Sequence, residues 1–180
     1  MLRTYGKKAA GLTFLCDFLK AILSCVIGLL AMEMNGLALA GFFVIFGHMF
    51  PVFEKFKGGK GVACLCGVVL VTSIFSNNWI LPFVPFVFIF LALIFIVIVL
   101  GTQYVSMGSV MCSFLYPVLL NSLSSSKQAG LCVAMAVLDA IFVIYRHKEN
   151  LKRIYNRTES KVNFKRTNKK KTEQDQGDQT

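Results

Sequence analysis

Continuously apolar segments, separated by short polar stretches, make up most of this chain. Six such segments can be marked off, covering 13–31, 36–52, 61–75, 79–101, 105–120 and 130–145. Because a helix needs about 20 residues to cross about 30 Å of hydrocarbon, three of the segments require either flanking residues to complete a span or a thinned bilayer. The apolar residues run on without alternation, so the pattern indicates helices rather than membrane strands.

The composition agrees with this pattern. Apolar residues form 56% of the 180 positions and the mean hydropathy is +0.65, which is more apolar surface than one soluble core of this size buries. The predicted fold class is therefore an all-α integral membrane protein, a compact bundle of about six transmembrane helices. Residues 1–162 form the membrane domain, and the polar residues 163–180 form a disordered cytoplasmic tail.

Basic residues are concentrated on one side of the predicted bundle. The side that holds both chain ends carries Arg3, Lys7, Lys8, Lys55, Lys57, Lys60 and the basic stretch 146–171. The opposite loops, 32–35, 76–78 and 121–128, contain Lys127 as their single base. By the positive-inside rule both ends are cytoplasmic, in a multi-pass protein of the plasma membrane. The same rule accounts for a pI near 9.5, so no nucleic-acid partner is expected.

The residues between the second and third segments are the most informative part of the chain. The stretch Lys57-Gly58-Gly59-Lys60-Gly61, called the glycine turn below, stands directly before an apolar helix. Glycine lets consecutive backbone N–H groups converge, a helix N-terminus adds partial positive charge, and lysine supplies an ammonium group. These features predict a phosphate site at the membrane surface. The alternative is an ordinary loop whose lysines follow the positive-inside rule.

Several polar side chains lie inside or beside the apolar segments. His48 precedes the glycine turn, where a lone histidine is more often a hydrogen-bonding group at a helix end than a catalyst. Asp17 and Lys20 are spaced three residues apart and can pair on one helix face. Asp139, in the last segment, serves either structural pairing or function. The six cysteines form no metal-binding pattern, so neither a metal nor a cofactor is expected.

A second polar cluster, 146–154, follows the last apolar segment directly, with Glu159 beyond it. If the cluster is helical, His147 and Asn150 lie on one face, where an imidazole and an amide can hydrogen-bond an anion or a hydroxyl. The alternative is an ordinary basic helix beside the membrane, which is the commoner case on composition.

These motifs resemble those of the bacterial acyl-phosphate:glycerol-3-phosphate acyltransferases, the PlsY family. Gly47-His48 followed by residues 56–63 is similar to the family's second motif almost letter for letter. The third, C-terminal motif is similar to Arg146-His147 with Asn150, Arg153 and Glu159. Further shared stretches are similar to residues 3–11, to Asp17 with Lys20, and to Tyr104-Val105-Ser106. The resemblance runs from residue 1 to about residue 162.

Members of this family begin with an additional transmembrane helix, giving seven spans, and with a first motif rich in Ser, Gly and Asn that ends in an arginine. In this sequence Arg3 corresponds to that arginine, and the serine and asparagine have no counterpart. The resemblance therefore implies either a longer natural chain in which Met1 is an internal methionine or a shortened relative. A match that starts in mid-motif favours the longer chain.

The resemblance implies an enzyme of phospholipid biosynthesis that transfers a fatty acyl group from acyl phosphate to glycerol 3-phosphate, giving lysophosphatidic acid and phosphate. Its partners are these two substrates and membrane lipid, and no metal is required. The implied catalytic residues are His147, Asn150 and Arg3. The implied phosphate-binding residues are Arg3, Lys57, Gly58, Gly59, Lys60 and Gly61, with His48 and Glu159 as structural support. Two other functions stay open: a non-catalytic membrane protein of the same fold, and a small transporter of phosphorylated metabolites.

Overall fold

The computed structural model describes residues 2–54, 58–76, 86–123 and 129–162. Within these ranges the chain forms α1 (Leu2–Met49), α2 (Val62–Ser76), α3 (Phe86–Thr102), α4 (Val105–Leu123), α5 (Ala129–Arg146) and α6 (Lys148–Tyr155), with a 3-10 turn over Val52–Glu54. The secondary structure of the described residues is thus entirely helical, as predicted. Lys57 and the predicted tail, 163–180, lie outside the described residues, as does the side chain of Arg3.

The longest helix, α1, reverses direction and supplies the first two predicted segments. Helical geometry fails at Met32 (φ −143°) and Glu33 (φ 53°, ψ −141°), inside the polar break predicted between those segments. The two limbs of α1 then pack side by side, and a Cβ on Gly28 or on Gly36 would overlap the backbone carbonyl of the other. Small residues at this crossing let the two limbs approach closely, as in other membrane helix pairs.

The later helices follow the predicted segments to within a few residues wherever the structure describes them. α4 continues three residues beyond the predicted end at Leu120, although Pro117 lies inside it. Proline is tolerated in membrane helices because neighbouring groups can satisfy the carbonyl that it leaves unpaired. α1 ends at Met49, two residues before Pro51, whose ring disfavours the helical conformation in the residue that precedes it.

The bundle buries its core between α1, α2, α3, α4 and α5 and leaves many large apolar side chains on its outer surface. Ala21, Ile45 and Val143 are fully buried, whereas Leu30 is 82% exposed and Val97 is 68% exposed. Exposed apolar surface on this scale marks contact with lipid or with a partner.

By length and apolar composition, two helices of the described chain can cross a membrane, Val105–Leu123 and Lys8–Met49, and the second of these contains the reversal at Met32 and Glu33. A third candidate is α5 joined to α6, which are bent by 53° at their junction. The apolar helices Val62–Phe75 and Phe86–Thr102 are shorter. These shorter helices match the prediction that some segments need flanking residues or a thinned bilayer to complete a span.

Candidate functional site

Several parts of the chain meet at one end of the bundle, among them both limbs of α1, the glycine turn with the start of α2, the start of α4, and the junction of α5 with α6. Between them lies an open cleft of about 1590 Å³. Both sequence clusters line it, the glycine turn through Gly58, Gly59, Lys60 and Gly61, and the second cluster through His147 and Asn150. The volume of the cleft is larger than that of most small-molecule pockets.

Gly58 and Gly59 hold the glycine turn against the end of α1. The N–H of Gly58 donates to the carbonyl oxygen of Met49 and the N–H of Gly59 donates to that of His48, both at 3.2 Å. These carbonyls belong to the last turn of α1, where a helix leaves its acceptors unpaired. The converging N–H groups expected from the sequence are therefore not those of Gly58 and Gly59, because these two groups cap α1.

Glycine is required in this turn for two physical reasons. A Cβ on Gly59 would overlap the imidazole of His48, and a Cβ on Gly61 would overlap the side chain of Met49. Gly61 also has φ +76°, a left-handed conformation that costs other residues about 1 kcal/mol. Glycine at these positions lets the chain pack against α1 and then turn into α2.

Lys60 and the first residues of α2 present polar groups to the cleft. Lys60 reaches the surface although neighbouring groups cover part of its side chain, and Gly61, Val62 and Ala63 line the cleft beside it. The first N–H groups of a helix have no partner within that helix, so those of Val62 and Ala63 can serve a ligand. Partial burial lowers the pKa of Lys60, the charge of Glu159 opposes this shift, and nearby arginine side chains add to it. This part of the cleft is electropositive and suits an anion.

Arg146 joins the glycine turn to the end of α5. Its Nε donates to the carbonyl oxygen of Gly59 at 3.1 Å, and its terminal nitrogen donates to the carbonyl oxygen of Gly58. The guanidinium group also lies over the ring of Phe50, 5.7 Å from the ring centroid. The two clusters that the sequence singled out are thus in direct contact through this side chain.

His147 occupies the junction between α5 and α6 and is 2% exposed. Its Nδ1 lies 2.7 Å from the carbonyl oxygen of Val143. Since a carbonyl oxygen only accepts, Nδ1 carries the hydrogen, and Nε2 is the acceptor of the neutral ring. Burial lowers the pKa of His147 and outweighs the opposing bond to Val143, and the positive charge of Lys60 lowers the pKa further. The imidazole is therefore neutral near pH 7 and lines the cleft.

Glu159 connects α4, α6 and the segment that follows α6. Its Oε1 accepts hydrogen bonds from Ser106 Oγ at 2.7 Å and from Asn150 Nδ2 at 2.6 Å, and its Oε2 accepts one from Arg153 Nε at 2.7 Å. Burial raises the pKa of Glu159, but the three hydrogen bonds outweigh burial and hold that pKa at about 2. A carboxyl that stays ionised does not exchange protons with substrate near neutral pH, which fits a supporting role.

Ser106 is the member of this network to which the sequence assigned no role. The signal that pointed to it was its place in the shared stretch Tyr104-Val105-Ser106. Ser106 is buried, and its Oγ also accepts a hydrogen bond from Asn150 Nδ2 at 3.2 Å. It lies 53 positions before Glu159, so sequence spacing alone does not bring the two residues together.

Asp17, Lys20 and His48 form a polar cluster where the two limbs of α1 meet at the cleft. The predicted pairing of Asp17 with Lys20 is confirmed, with Lys20 Nζ 2.6 Å from Asp17 Oδ1. The same Nζ lies 3.0 Å from Nδ1 of His48. Ligand atoms of Asp17, His48 and Cys64 lie within 4.8 Å of one another and could hold a metal ion. The ammonium group of Lys20, however, already contacts two of these ligands and supplies the positive charge there.

Asp139 lies away from the cleft, in a small cavity of about 10 Å³ that Thr72 and Tyr116 also line. It is 2% exposed, and among the described residues its Oδ1 has no hydrogen-bond partner. The structure therefore separates this buried acid from the residues of the candidate site.

A helical bundle with an apolar outer surface and a polar cleft at one end defines a membrane protein with a candidate site for charged ligands. The chain belongs to the glycerol-3-phosphate acyltransferase family, a family of membrane enzymes, whose model matches residues 1–157. The fold class predicted from the sequence, an all-α integral membrane protein, and the family indicated by its motifs are both confirmed.

Curated relatives and solved structures agree on this family. The chain is 35% identical over 175 residues to a glycerol-3-phosphate acyltransferase of Clostridioides difficile, covering 92% of the chain and 77% of the relative. It is 36% identical over 163 residues to that of Bacillus subtilis, covering 90% and 76%. The chain therefore spans about three quarters of the length of these relatives.

Two crystal structures of PlsY, an integral membrane glycerol 3-phosphate acyltransferase, have the same fold. The glycerol 3-phosphate form matches with a TM-score of 0.78 and 31% identity, covering 92% of this chain and 77% of the other. The lysophosphatidic acid form matches with a TM-score of 0.76 and 32% identity, covering 90% and 76%.

Proposed function

We propose that this chain transfers a fatty acyl group from acyl phosphate to the 1-hydroxyl of glycerol 3-phosphate. The hydroxyl oxygen attacks the carbonyl carbon, the new ester bond forms, and the bond from that carbon to the phosphate oxygen breaks. The products are lysophosphatidic acid and inorganic phosphate. The observation that carries the proposal is the single cleft in which the glycine turn and the His147–Asn150 face lie together, in a chain of this family.

Phosphate binding is assigned to Lys60 and to the N–H groups at the start of α2. Both substrates carry a phosphate with a second pKa near 6, so each is close to doubly charged at neutral pH. An ammonium group and the unpaired N–H groups of a helix N-terminus suit such an anion. Arg3 and Lys57 are proposed to add positive charge. Gly58, Gly59 and Gly61 give the turn the shape that brings Lys60 to the cleft.

His147 and Asn150 are proposed to orient the attacking hydroxyl. The hydrogen of His147 Nδ1 is committed to Val143, so Nε2 can accept a hydrogen bond from the 1-hydroxyl. Asn150 uses Nδ2 for Ser106 and Glu159, so its Oδ1 can accept another. The hydroxyl proton passes to the departing phosphate, whose anhydride bond already activates the carbonyl. Positioning and charge neutralisation then supply the catalysis, without a metal or a covalent enzyme intermediate.

The acyl chain is assigned to the apolar part of the same cleft. Phe14 and Phe43 line it and are 50% and 62% exposed. Exposed phenyl rings next to a polar site suit a substrate with a charged head and an alkyl tail, because each part then meets matching surface. A donor dissolved in the bilayer can thus reach the basic end of the cleft without leaving lipid.

The cleft is proposed to open to the cytoplasm of a bacterial cell, with both ends of this chain on that side, as the positive-inside rule indicates. In spheroplasts, an impermeant maleimide should label Asn121→Cys at the far end of α4. Lys148→Cys on α6 should be labelled after lysis only. The reverse pattern would overturn the orientation without affecting the reaction.

The reaction is tested with purified protein in lipid nanodiscs, palmitoyl phosphate and labelled glycerol 3-phosphate. Lysophosphatidic acid and inorganic phosphate should form in equal amounts. Palmitoyl-coenzyme A serves as the comparison donor, and product from that donor alone would overturn the assignment of acyl phosphate. No product from either donor, in protein that melts cooperatively, would overturn the catalytic assignment.

A further inference from the structure

We infer that Arg146 is a positioning residue that sets the geometry of the phosphate site by donating hydrogen bonds to two consecutive carbonyl groups of the glycine turn. The inference rests on the proposed function of the cleft and adds a residue whose separate role was not evident from the sequence. Arg146 contacts the turn with two nitrogens of one rigid guanidinium group. It is not among the residues that line the cleft, so its effect on substrate passes through the turn.

The backbone of the glycine turn is hydrogen-bonded on both of its sides. The N–H groups of Gly58 and Gly59 are held by the last carbonyls of α1, and their carbonyl oxygens are held by Arg146. Each of these two residues thus has both backbone polar groups engaged. Glycine has wide conformational freedom, and these four hydrogen bonds remove it at two successive positions.

The hydrogen bond to the Gly59 carbonyl also constrains the direction of the N–H group of Lys60. In a trans peptide the carbonyl oxygen of one residue and the N–H of the following residue lie in one plane and point in opposite directions. With the Gly59 carbonyl directed at Arg146, the N–H of Lys60 is directed away from Arg146. Lys60 lines the cleft and Arg146 does not, so this geometry favours an N–H of Lys60 directed to the cleft side, next to the N-terminus of α2.

Arg146 also links the glycine turn to the second polar cluster. Arg146 directly precedes His147 and stacks on Phe50, which follows the end of α1. One side chain therefore fixes the phosphate-binding turn relative to the imidazole that is proposed to hold the hydroxyl. Acyl transfer depends on the distance between the glycine turn and the imidazole, because small misplacements of reacting groups cost large factors in rate.

Lysine cannot replace arginine fully in this role, because an ammonium group is a point charge without the planar fork that contacts two acceptors at once. Three variants separate the effect of the two hydrogen bonds from the effect of the positive charge of Arg146. Arg146→Ala removes both, Arg146→Lys keeps the charge, and Lys152→Ala removes one positive charge from the same end of the molecule. Lys152 is exposed on α6 and is not a cleft residue.

The experiment measures hydrogen–deuterium exchange of the full chain in nanodiscs, for peptides that cover residues 58–63, together with steady-state kinetics. In Arg146→Ala, exchange at the glycine turn should rise at least tenfold, and the KM for glycerol 3-phosphate should rise by a similar factor. Arg146→Lys should fall between this variant and the wild type. Methylguanidinium should restore part of the lost activity to Arg146→Ala, and Lys152→Ala should stay within twofold of the wild type.

Unchanged exchange at residues 58–63 in Arg146→Ala would overturn the inference that Arg146 holds the glycine turn in place, whatever the kinetics show. Exchange that rises while the KM for glycerol 3-phosphate stays constant would overturn the positioning role. If the wild type forms no lysophosphatidic acid, the proposed function fails. The exchange measurement still decides whether Arg146 holds the glycine turn in place. If Arg146→Ala fails to fold, the same exchange and KM measurements on Arg146→Lys decide between these outcomes.

Discussion

The side-chain nitrogen Nδ2 of Asn150 donates a 2.6 Å hydrogen bond to Oε1 of Glu159, nine residues further along the chain. This bond fixes the amide of Asn150 in one orientation, with Nδ2 on the carboxylate and Oδ1 left for a ligand. Ser106 and Arg153 hold the carboxylate in place. The proposed ligand-binding face of the second cluster therefore depends on a carboxylate that is not proposed to contact substrate.

Replacing Glu159 with glutamine should disturb this face. The new amide group brings a donor to a site where three donors already converge, so at least one charge-assisted hydrogen bond is lost. We expect Glu159→Gln to lower stability by about 2 kcal/mol and kcat by roughly tenfold, since a hydrogen bond that positions a reacting group carries energy of that order. Thermal unfolding in detergent and steady-state kinetics measure the two effects. Glu149→Gln on the exposed surface of α6 is the matched control, and equal behaviour of the two variants would contradict the role of Glu159.

The depressed pKa of Glu159 predicts how its contribution to stability depends on pH. The carboxyl has a pKa of about 2 in the folded protein instead of its usual 4.5, so the folded state binds fewer protons below pH 4.5 than the unfolded state. The contribution is complete above pH 4.5 and is lost as the pH falls toward 2. The difference in melting temperature between the wild type and Glu159→Gln should therefore be constant from pH 7 to pH 5 and shrink below pH 4.5. A difference that shrinks already between pH 7 and pH 5 would contradict this assignment.

His147 should act in a separate, higher pH range. Its pKa is lowered below 6.5 in the folded protein, so the unfolded state takes up the proton first as the pH falls. Stability from this group is complete above pH 6.5 and declines as the pH falls through the lower pKa of the folded state. The wild type should thus lose melting temperature below pH 6.5 more steeply than His147→Asn. Parallel curves for the two proteins would show that the imidazole is not held neutral.

Gly61 offers a test of the shape of the glycine turn. Alanine there must adopt φ +76° and place its Cβ against Met49, so we expect a loss of about 1–3 kcal/mol from strain and overlap. Gly101→Ala is the control, because a Cβ at Gly101, near the end of α3, has no neighbour within 4 Å. Gly101→Ala should be neutral or slightly stabilising. Equal melting temperatures for the two variants would remove the conformational requirement at Gly61.

Lys60 offers a test of the proposed phosphate site. Removal of its ammonium group should raise the KM for glycerol 3-phosphate at least tenfold, because a charge-assisted contact to phosphate is worth about 1.5–3 kcal/mol. Lys60→Ala and Lys152→Ala lower the net charge equally, so a comparison of their KM values separates a local contact from the general field. A KM for Lys60→Ala equal to that of Lys152→Ala would assign the phosphate to other residues.

The sequence predicted the helices well because lipid constrains the chain strongly. Backbone groups in hydrocarbon must be paired within their own segment, so a continuous apolar run specifies a helix wherever its neighbours lie. The polar break at 32–35 indicated where α1 reverses, and Met32 and Glu33 are the residues that leave helical geometry. The spacing of Asp17 and Lys20 indicated their pairing because helical spacing is a local property.

Local chemistry also singled out the two clusters of the candidate site. Glycines beside lysines before a helix, and a histidine near an asparagine after one, are patterns that short sequence segments carry by themselves. The sequence alone could not decide which N–H groups of the glycine turn are available. Gly58 and Gly59 donate theirs to Met49 and His48, and this pairing depends on how closely α1 and the turn pack.

The sequence by itself thus determined the class of protein, its helical segments and the residues of both polar clusters, because these follow from local composition and spacing. The tertiary structure alone decided that Arg146 donates hydrogen bonds to the carbonyl oxygens of Gly58 and Gly59, 88 and 87 positions earlier in the chain. It also decided that Ser106 joins Asn150 and Glu159. Such contacts depend on the packing of whole helices against one another, and no short stretch of sequence specifies that arrangement.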